Sequence, residues 1–258
     1  MKKLIILLIS AQLFCPALCK MYEGKIIEQG NRSSGRIIDK ASGNGISGAK
    51  ITIPQKHYST KTDKKGYFEL DTYINSDTIM SVKKDKYKPF TATINEKSLN
   101  SPIIISIEKS NSYGITIDTQ MHHLGDNNYS KLSANADEFH IESEGPFFTE
   151  KFLLKNINIT KPVYVVIGSI VGIDTLLART MGQNKVPNSY ASPPEIYFNG
   201  NKISEIQING DGQKIKIPPQ LIKKNKINEL TIKTGKNLMQ TSYIDYDDIE
   251  FMNLSIEN

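Results

Sequence analysis

The chain has no tryptophan and only two cysteines, Cys15 and Cys19, both before Lys20. Beyond that point no disulfide and no zinc–thiolate site can form, which excludes a redox role and leaves packed cores as the source of stability. Histidine is scarce: His57, His122, His123 and His140 are the full set. None has Glu at the third following position and there is no His-Glu-x-x-His, so the zinc-peptidase patterns are missing. Gly-x-Ser-x-Gly and Gly-x-x-x-x-Gly-Lys-Ser/Thr are missing too, which removes the serine-hydrolase elbow and the phosphate-binding loop. The net charge of +5 is small for 258 residues and argues against a nucleic-acid partner. No catalytic residue is assigned, and no cofactor is required.

Long apolar runs are equally rare. The one at the start, Leu4 to Phe14, follows Lys2 and Lys3 and breaks at Pro16. It is shorter than the roughly 20 residues that span a bilayer, and it has the flanks of a secretory signal. Small Ala17 and Cys19 place the cleavage after Cys19, giving a signal peptide over residues 1–19. A lipid anchor on Cys19 is the alternative, but its signal wants Leu at the position held by Pro16 and a small residue at that of Leu18. The expectation is an exported protein, periplasmic or extracellular, with no transmembrane segment. The Lys-, Ile- and Asn-rich composition and short leader point to a bacterial source.

Residues 20–34 are polar and read as a flexible leader. From Gly35 onward the chain alternates in short runs: Ile51/Ile53, Met80/Val82, Ile103/Ile105/Ile107, Ile206/Ile208, Ile215/Ile217 and Leu230/Ile232. Period-two alternation puts one face on a core and one in water. Turn residues arrive about every 8–12 residues, the rhythm of sandwiches and barrels. Helical patterning is confined to Asp174–Gly182 and the short turn Pro219–Lys224. The fold class is all-β, with two β-sandwich domains over 35–109 and 113–258 and a boundary near Lys109–Ser112.

The first of these carries Asp39, Ser42-Gly43, Gly48-Ala49, Thr62-Asp63-Lys64-Lys65-Gly66-Tyr67-Phe68 and Tyr87 in order. This combination resembles the carboxypeptidase regulatory-like family, a transthyretin-like sandwich, departing from it at Lys86, where the family often has Gly. The resemblance implies a non-catalytic spacer or binding module. Gly66 is expected to take positive φ where a hairpin reverses. The cluster Lys83-Lys84-Asp85-Lys86-Tyr87-Lys88 reads as a solvated hairpin tip.

In the second, Pro162–Ile170 is almost continuously apolar and suits a central strand buried on both faces. Asn199-Gly200 marks a hairpin. In the closing strand Ile249 and Phe251 share one parity and Leu254 and Ile256 the other, which predicts a β-bulge near Met252-Asn253. The order of the Asn-Gly hairpin, Ile217-Pro218, Asn228-Glu229-Leu230-Thr231-Ile232 and Tyr246-Asp247-Asp248-Ile249 resembles the galactose-binding-like jelly-roll family. Rhamnogalacturonan lyases are similar in arrangement but carry a large catalytic domain with no counterpart here.

That resemblance implies carbohydrate binding and a structural calcium. Calcium needs six to eight oxygens, and Glu142, Glu144, Asp248 and Glu250 are the acids to supply them; alternation turns Asp247 away. Without tryptophan, Tyr129, Tyr190 and Tyr243 are the aromatic candidates for stacking on a sugar, with His122 as a polar contact. His123 then points to the other face. Three functions remain open: glycan binding through the jelly roll, a surface protein-interaction module (adhesin, effector or assembly component), and a hydrolase of unrecognised type.

Overall fold

The computed structural model describes residues 33–110, 114–129, 139, 141–155, 157–187 and 190–258. The signal peptide, Cys19 and the leader up to residue 32 lie outside the described residues. Ser33 and Ser34, assigned to the leader, already belong to the first strand.

Residues 33–107 form seven strands: β1 Ser33–Asp39, β2 Lys50–Ile53, β3 Tyr58–Lys61, β4 Tyr67–Leu70, β5 Thr78–Lys83, β6 Phe90–Ile94 and β7 Ile103–Ile107. They make one sheet in the order β4-β1-β7 and a second in the order β3-β2-β5-β6. Ile37, Ile51, Ile53, Phe68, Leu70, Met80, Val82 and Ile105 fill the space between. Asp39 closes the first turn, accepting from the Ser42 amide at 2.8 Å and the Tyr87 hydroxyl at 2.8 Å.

Among the described residues eight further strands follow: β8 Ile115–Leu124, β9 Phe147–Leu153, β10 Val163–Val171, β11 Glu195–Phe198, β12 Asn201–Glu205, β13 Gly210–Ile217, β14 Ile227–Lys233 and β15 Ile249–Glu257. Their sheets run β13-β10-β15-β8 and β12-β11-β14-β9, with every pairing antiparallel. The second core lies between them, around Val165, Ile167, Phe198, Leu230, Phe251 and Ile256. The helical patch is the single turn α1, Leu176–Thr180, whose start Thr175 caps by accepting from the Ala178 amide.

The two sandwiches are stacked. Strands β5 and β6 of the first lie against β10, and β6 also meets β13 and β15. Hence β10 is buried along both faces, as its continuous apolar run requires. Ile79 from the first sandwich joins Met121, Val171 and Met252 from the second in a small core of their own. Polar links cross the junction too. Buried Gln55 donates to Glu250 at 3.0 Å, and the Asp211 carboxylate accepts from the Thr93 amide at 2.9 Å. Gly168 is needed here: a Cβ would sit 2.3 Å from Thr91 Oγ1 and 2.6 Å from Asn253 Cβ.

Several local expectations change. Gly66 has φ +85°, but it links β3 to β4, which lie in different sheets, so no hairpin reverses there. What demands glycine is a close approach, since a Cβ would lie 2.5 Å from the Ile37 carbonyl oxygen. Lys86 has φ +70°, a conformation glycine adopts without cost, which explains why glycine suits that position in the family it resembles. The lysine cluster is not all solvated. Lys83 donates to the Thr119 carbonyl at 2.9 Å, and Lys88 reaches Glu257 at 3.6 Å, so both bind the second sandwich. Burial draws the Lys83 amine below its ordinary pKa. Ile206 and Ile208 fall between β12 and β13 rather than in a strand.

The closing strand does lose register, between Met252 and Leu254 and again between Leu254 and Ser255, with Asn253 at φ +66°. The extra residues, however, sit on the partner: Asp118 to Met121 on β8 spans what Leu254 to Met252 spans on β15. The switch lets Ile249, Phe251, Leu254 and Ile256 all face one core. The Asn199-Gly200 turn has φ +49° and +79°, as a two-residue hairpin needs.

Candidate functional site

At one end of the second sandwich, the loops after β8 and before β15 meet the segments around Asp174, Tyr190 and Asn237. Short bridges bind them: Thr175 with Ala191, Ala191 with Asn237, and Lys236 with Tyr246. They enclose a cavity of about 300 Å³ whose described lining includes Asn128, Tyr129, Asp174, Tyr190, Asn237, Asp245, Tyr246, Asp247 and Asp248.

Several of its polar groups are held in place. Asp245 accepts from Asn128 Nδ2 at 2.8 Å and Asn237 Nδ2 at 2.9 Å. Asp126 accepts from the Tyr246 amide at 2.9 Å. The Tyr129 hydroxyl donates to the Phe139 carbonyl, and the two rings meet edge to face at 4.9 Å. Asp248 is almost fully buried; its Oδ1 lies 2.9 Å from His123 Nε2 and accepts from the Asn127 amide at 2.9 Å. Gly125 leaves room for this carboxylate, since a Cβ there would lie 2.4 Å from Asp248 Oδ1.

The electrostatics are unusual. Burial, then the negative charge of Asp174, then Asp248 and Asp245 push the Asp247 carboxyl well above the ordinary range; the Asp174 amide at 3.2 Å opposes them. Burial also works against a charged His123. Its contacts with Asp248 and the Ile141 carbonyl, together with the charge of Glu250, outweigh that and raise its pKa.

The residues singled out from sequence separate into groups. Tyr129, Tyr190 and Asp248 line the cavity together. Tyr243 is 56% exposed and outside its lining. His122 and His123 do point apart. His122 packs beside Phe148 and Phe251, with ring centroids 4.3 and 5.3 Å away, and lies 3.0 Å from Glu144 Oε1 and 3.3 Å from Asp118 Oδ1.

The four acids do not fit the calcium that the jelly-roll resemblance implies. Glu250 reaches Gln55 at the junction and Asp248 faces His123, while Glu142 and Glu144 are exposed and outside any strand. Among the described residues no three His, Cys, Asp or Glu side chains are arranged to hold a metal ion. Asp247 is not turned away: β15 starts only at Ile249, so strand alternation does not govern it, and it lines the cavity beside Asp248. Asp174, Asp245, Asn128 and Asn237 escaped the sequence reading. The Asp245–Asp248 run was the one signal available for part of this set.

A second cavity, of about 340 Å³, lies at the junction of the sandwiches among Phe90, Ile115, Val166, Leu254 and Ile256, with Lys88 and Glu257 also in its wall. It is the more apolar of the two. Among the described residues no helix is long and apolar enough to cross a membrane.

Comparison with known proteins bears on the first sandwich. Residues 33–115 match the family of the CarboxypepD_reg-like domain. No curated protein matches the chain. Among solved structures, a presumed carbohydrate binding protein from Bacteroides uniformis ATCC 8492 aligns at 10% identity and TM-score 0.24, over 88% of this chain and 98% of its own. A DUF3823 family protein from Bacteroides ovatus ATCC 8483 aligns at 9% identity and TM-score 0.24, over 86% and 97%. The major pilin subunit BcpA of Bacillus cereus aligns at 12% identity and TM-score 0.20, over 88% and 58%. Superpositions this loose carry no argument about function.

Proposed function

We propose that this chain is an exported, non-catalytic carbohydrate-binding protein that holds a sugar in the cavity at the loop end of its second sandwich. The observation that carries the reading is the meeting of Tyr129, Tyr190 and Tyr246 with Asn128, Asn237 and Asp245 around one space of about 300 Å³. Aromatic planes that cover apolar sugar faces, beside fixed amides and carboxylates that take hydroxyls, are what such recognition needs. The strand order β8-β15-β10-β13 over β9-β14-β11-β12 supports a jelly-roll reading of this half. The apolar run after Lys2 and Lys3 supports export.

A glycan array probed with the chain lacking residues 1–19 tests this. Binding to a defined set of glycans is expected, falling at least tenfold in Tyr190→Ala, with no release of reducing ends on prolonged incubation. Failure to bind any glycan overturns the proposal; release of reducing ends replaces it with a hydrolase.

A second reading, a protein-contact module, is favoured by one observation. Leu176, Leu177, Met181, Leu238, Met239 and Ile244 are all exposed on segments tied together at this same end through Ala191. Capture of a protein partner from envelope extracts that survives glycosidase treatment, and is lost in Leu238→Ser/Met239→Ser, would favour it.

A further inference from the structure

We infer that His123 is a positioning residue for the cavity at the loop end: lying behind the wall, its imidazole keeps that wall in shape only while it carries two protons, so the site holds its ligand on the acid side and loosens as pH rises. That the ligand is a sugar rests on the reading above; the link between His123 and the wall does not.

The His123 and Asp248 side chains are each 1% exposed. His123 Nδ1 meets the Ile141 carbonyl, which can only accept, so Nδ1 carries a hydrogen. Nε2 lies 2.9 Å from Asp248 Oδ1. An ionised carboxylate also only accepts, so Nε2 carries a second hydrogen and the ring is a cation. Placing that proton on the carboxyl instead leaves the count unchanged: the pair holds one proton more than a neutral ring beside a free carboxylate. Once it leaves, a nitrogen lone pair faces a carboxylate oxygen inside the protein, and the contact turns repulsive.

The wall hangs on this contact. The same Asp248 Oδ1 accepts from the Asn127 amide at 2.9 Å, next to Asn128 and Tyr129 of the lining. The Phe139 ring lies 5.0 Å from the imidazole and carries the Tyr129 ring edge-on. Residues 141–145 run back along 123–127: the Glu144 amide donates to the His123 carbonyl at 2.9 Å and Ser143 Oγ to that of Gly125 at 2.7 Å. Among the described residues the charges acting on the ring come from β15, as Asp248 and as Glu250, its partner in the ladder. Neither belongs to a metal-binding set among those residues. On its own strand His122 turns away to Asp118 and Glu144. Asp126 turns to the Tyr246 amide, and from the first sandwich comes neutral Gln55, which donates to Glu250. Burial opposes the cation; Asp248, the Ile141 carbonyl and Glu250 outweigh it and put the loss of the proton above the ordinary histidine value.

The test uses the chain without residues 1–19, first free and then with ligand. NMR from about pH 5 to about pH 9 follows the His123 imidazole, assigned by its loss in His123→Gln, together with the Asn127 amide and the Tyr129 ring. One midpoint should govern all three, above the ordinary value of about 6.5. Exchange of the Asn127 amide, corrected for its intrinsic pH dependence, should quicken about tenfold or more across that midpoint, as loss of one charge-assisted hydrogen bond requires. In His123→Gln the Asn127 amide should no longer respond, with circular dichroism checking the fold. Asp248→Asn is the second variant and should move the His123 midpoint down. A His123 ring that keeps one charge state over the range, an Asn127 amide indifferent to its titration, or a midpoint that Asp248→Asn leaves in place overturns the inference. For a glycan found on the array, affinity should fall about tenfold across the same midpoint in the parent and not in His123→Gln; a pH-independent affinity overturns the link to binding. No glycan bound at any pH overturns the sugar reading alone, and the titration of the free protein still decides this inference.

Discussion

Asp39 in the first sandwich and Asp247 in the second are both buried aspartates at the foot of a loop, and their surroundings treat them oppositely. Asp39 is ringed by donors. The Ser42 amide, then the Tyr87 and Ser42 hydroxyls, and Lys109 at 3.8 Å hold its carboxyl down at about 2. Asp247 is ringed by acids, and its carboxyl is pushed up. The first arrangement fixes a turn and leaves nothing over. The second crowds carboxyl groups around one cavity, where ionising Asp247 works against the fold, an arrangement that binding and catalytic sites also use.

Substitutions in each half test this contrast. The largest effect is expected from Phe251→Ala, which removes a fully buried ring packed on Phe148 and His122. It should cost about 3–5 kcal/mol in urea unfolding. Gly168→Ala comes next, because its methyl collides with Thr91 across the junction. A loss of about 1–3 kcal/mol is expected, with one unfolding transition splitting into two as the sandwiches uncouple. A single unshifted transition would show that the junction yields without cost.

Asp247→Asn should act with the opposite sign to an ordinary aspartate change. A raised folded pKa gives stability that is complete below the unfolded value of about 3.9 and lost as pH rises through the folded one. The asparagine variant should therefore melt higher than the parent at pH 8 and match it at pH 3, read by a thermal scan across pH. Raised His123 adds to the same trend, so the second sandwich should prefer the acid side of neutral. Smallest is Asp39→Asn. The stability from a lowered pKa is present above about 3.9 and lost as pH falls through about 2. The variant should be less stable than the parent at neutral pH, and the difference should fade only in that acid window. If both aspartates gave the same slope, the contrast between the two halves would fail.

Much of the scaffold was legible because it is local. The Asn199-Gly200 turn, the apolar run of β10 and the change of parity along β15 each show within a dozen residues. The first sandwich was the easier half, since its turns follow one another at short range. The site is legible in part: the sequence points to Tyr129 and Tyr190 together for a sugar, but to Asp248 apart from them, for calcium. What joins them is long-range. Asp174 and Asp247 are 73 residues apart, and Asn128 and Asp245 are 117 apart, brought together by loop bridges that have no periodicity. Gln55 and Glu250 are 195 residues apart, and nothing in either segment announces the other. Alternation also misleads where it is carried past a strand end, as at Asp247.

The stacking of β5 and β6 on β10 has a consequence for how such chains can be shuffled. A gene fragment beginning near residue 114 would encode a sheet stripped of its cover, with Val166, Val171 and Met252 laid bare. Such a fragment is not a cassette that can be moved onto another protein. The first sandwich, which looks like a spacer on paper, is the other half of a wall, and the two are expected to be inherited, cloned and crystallised as one piece.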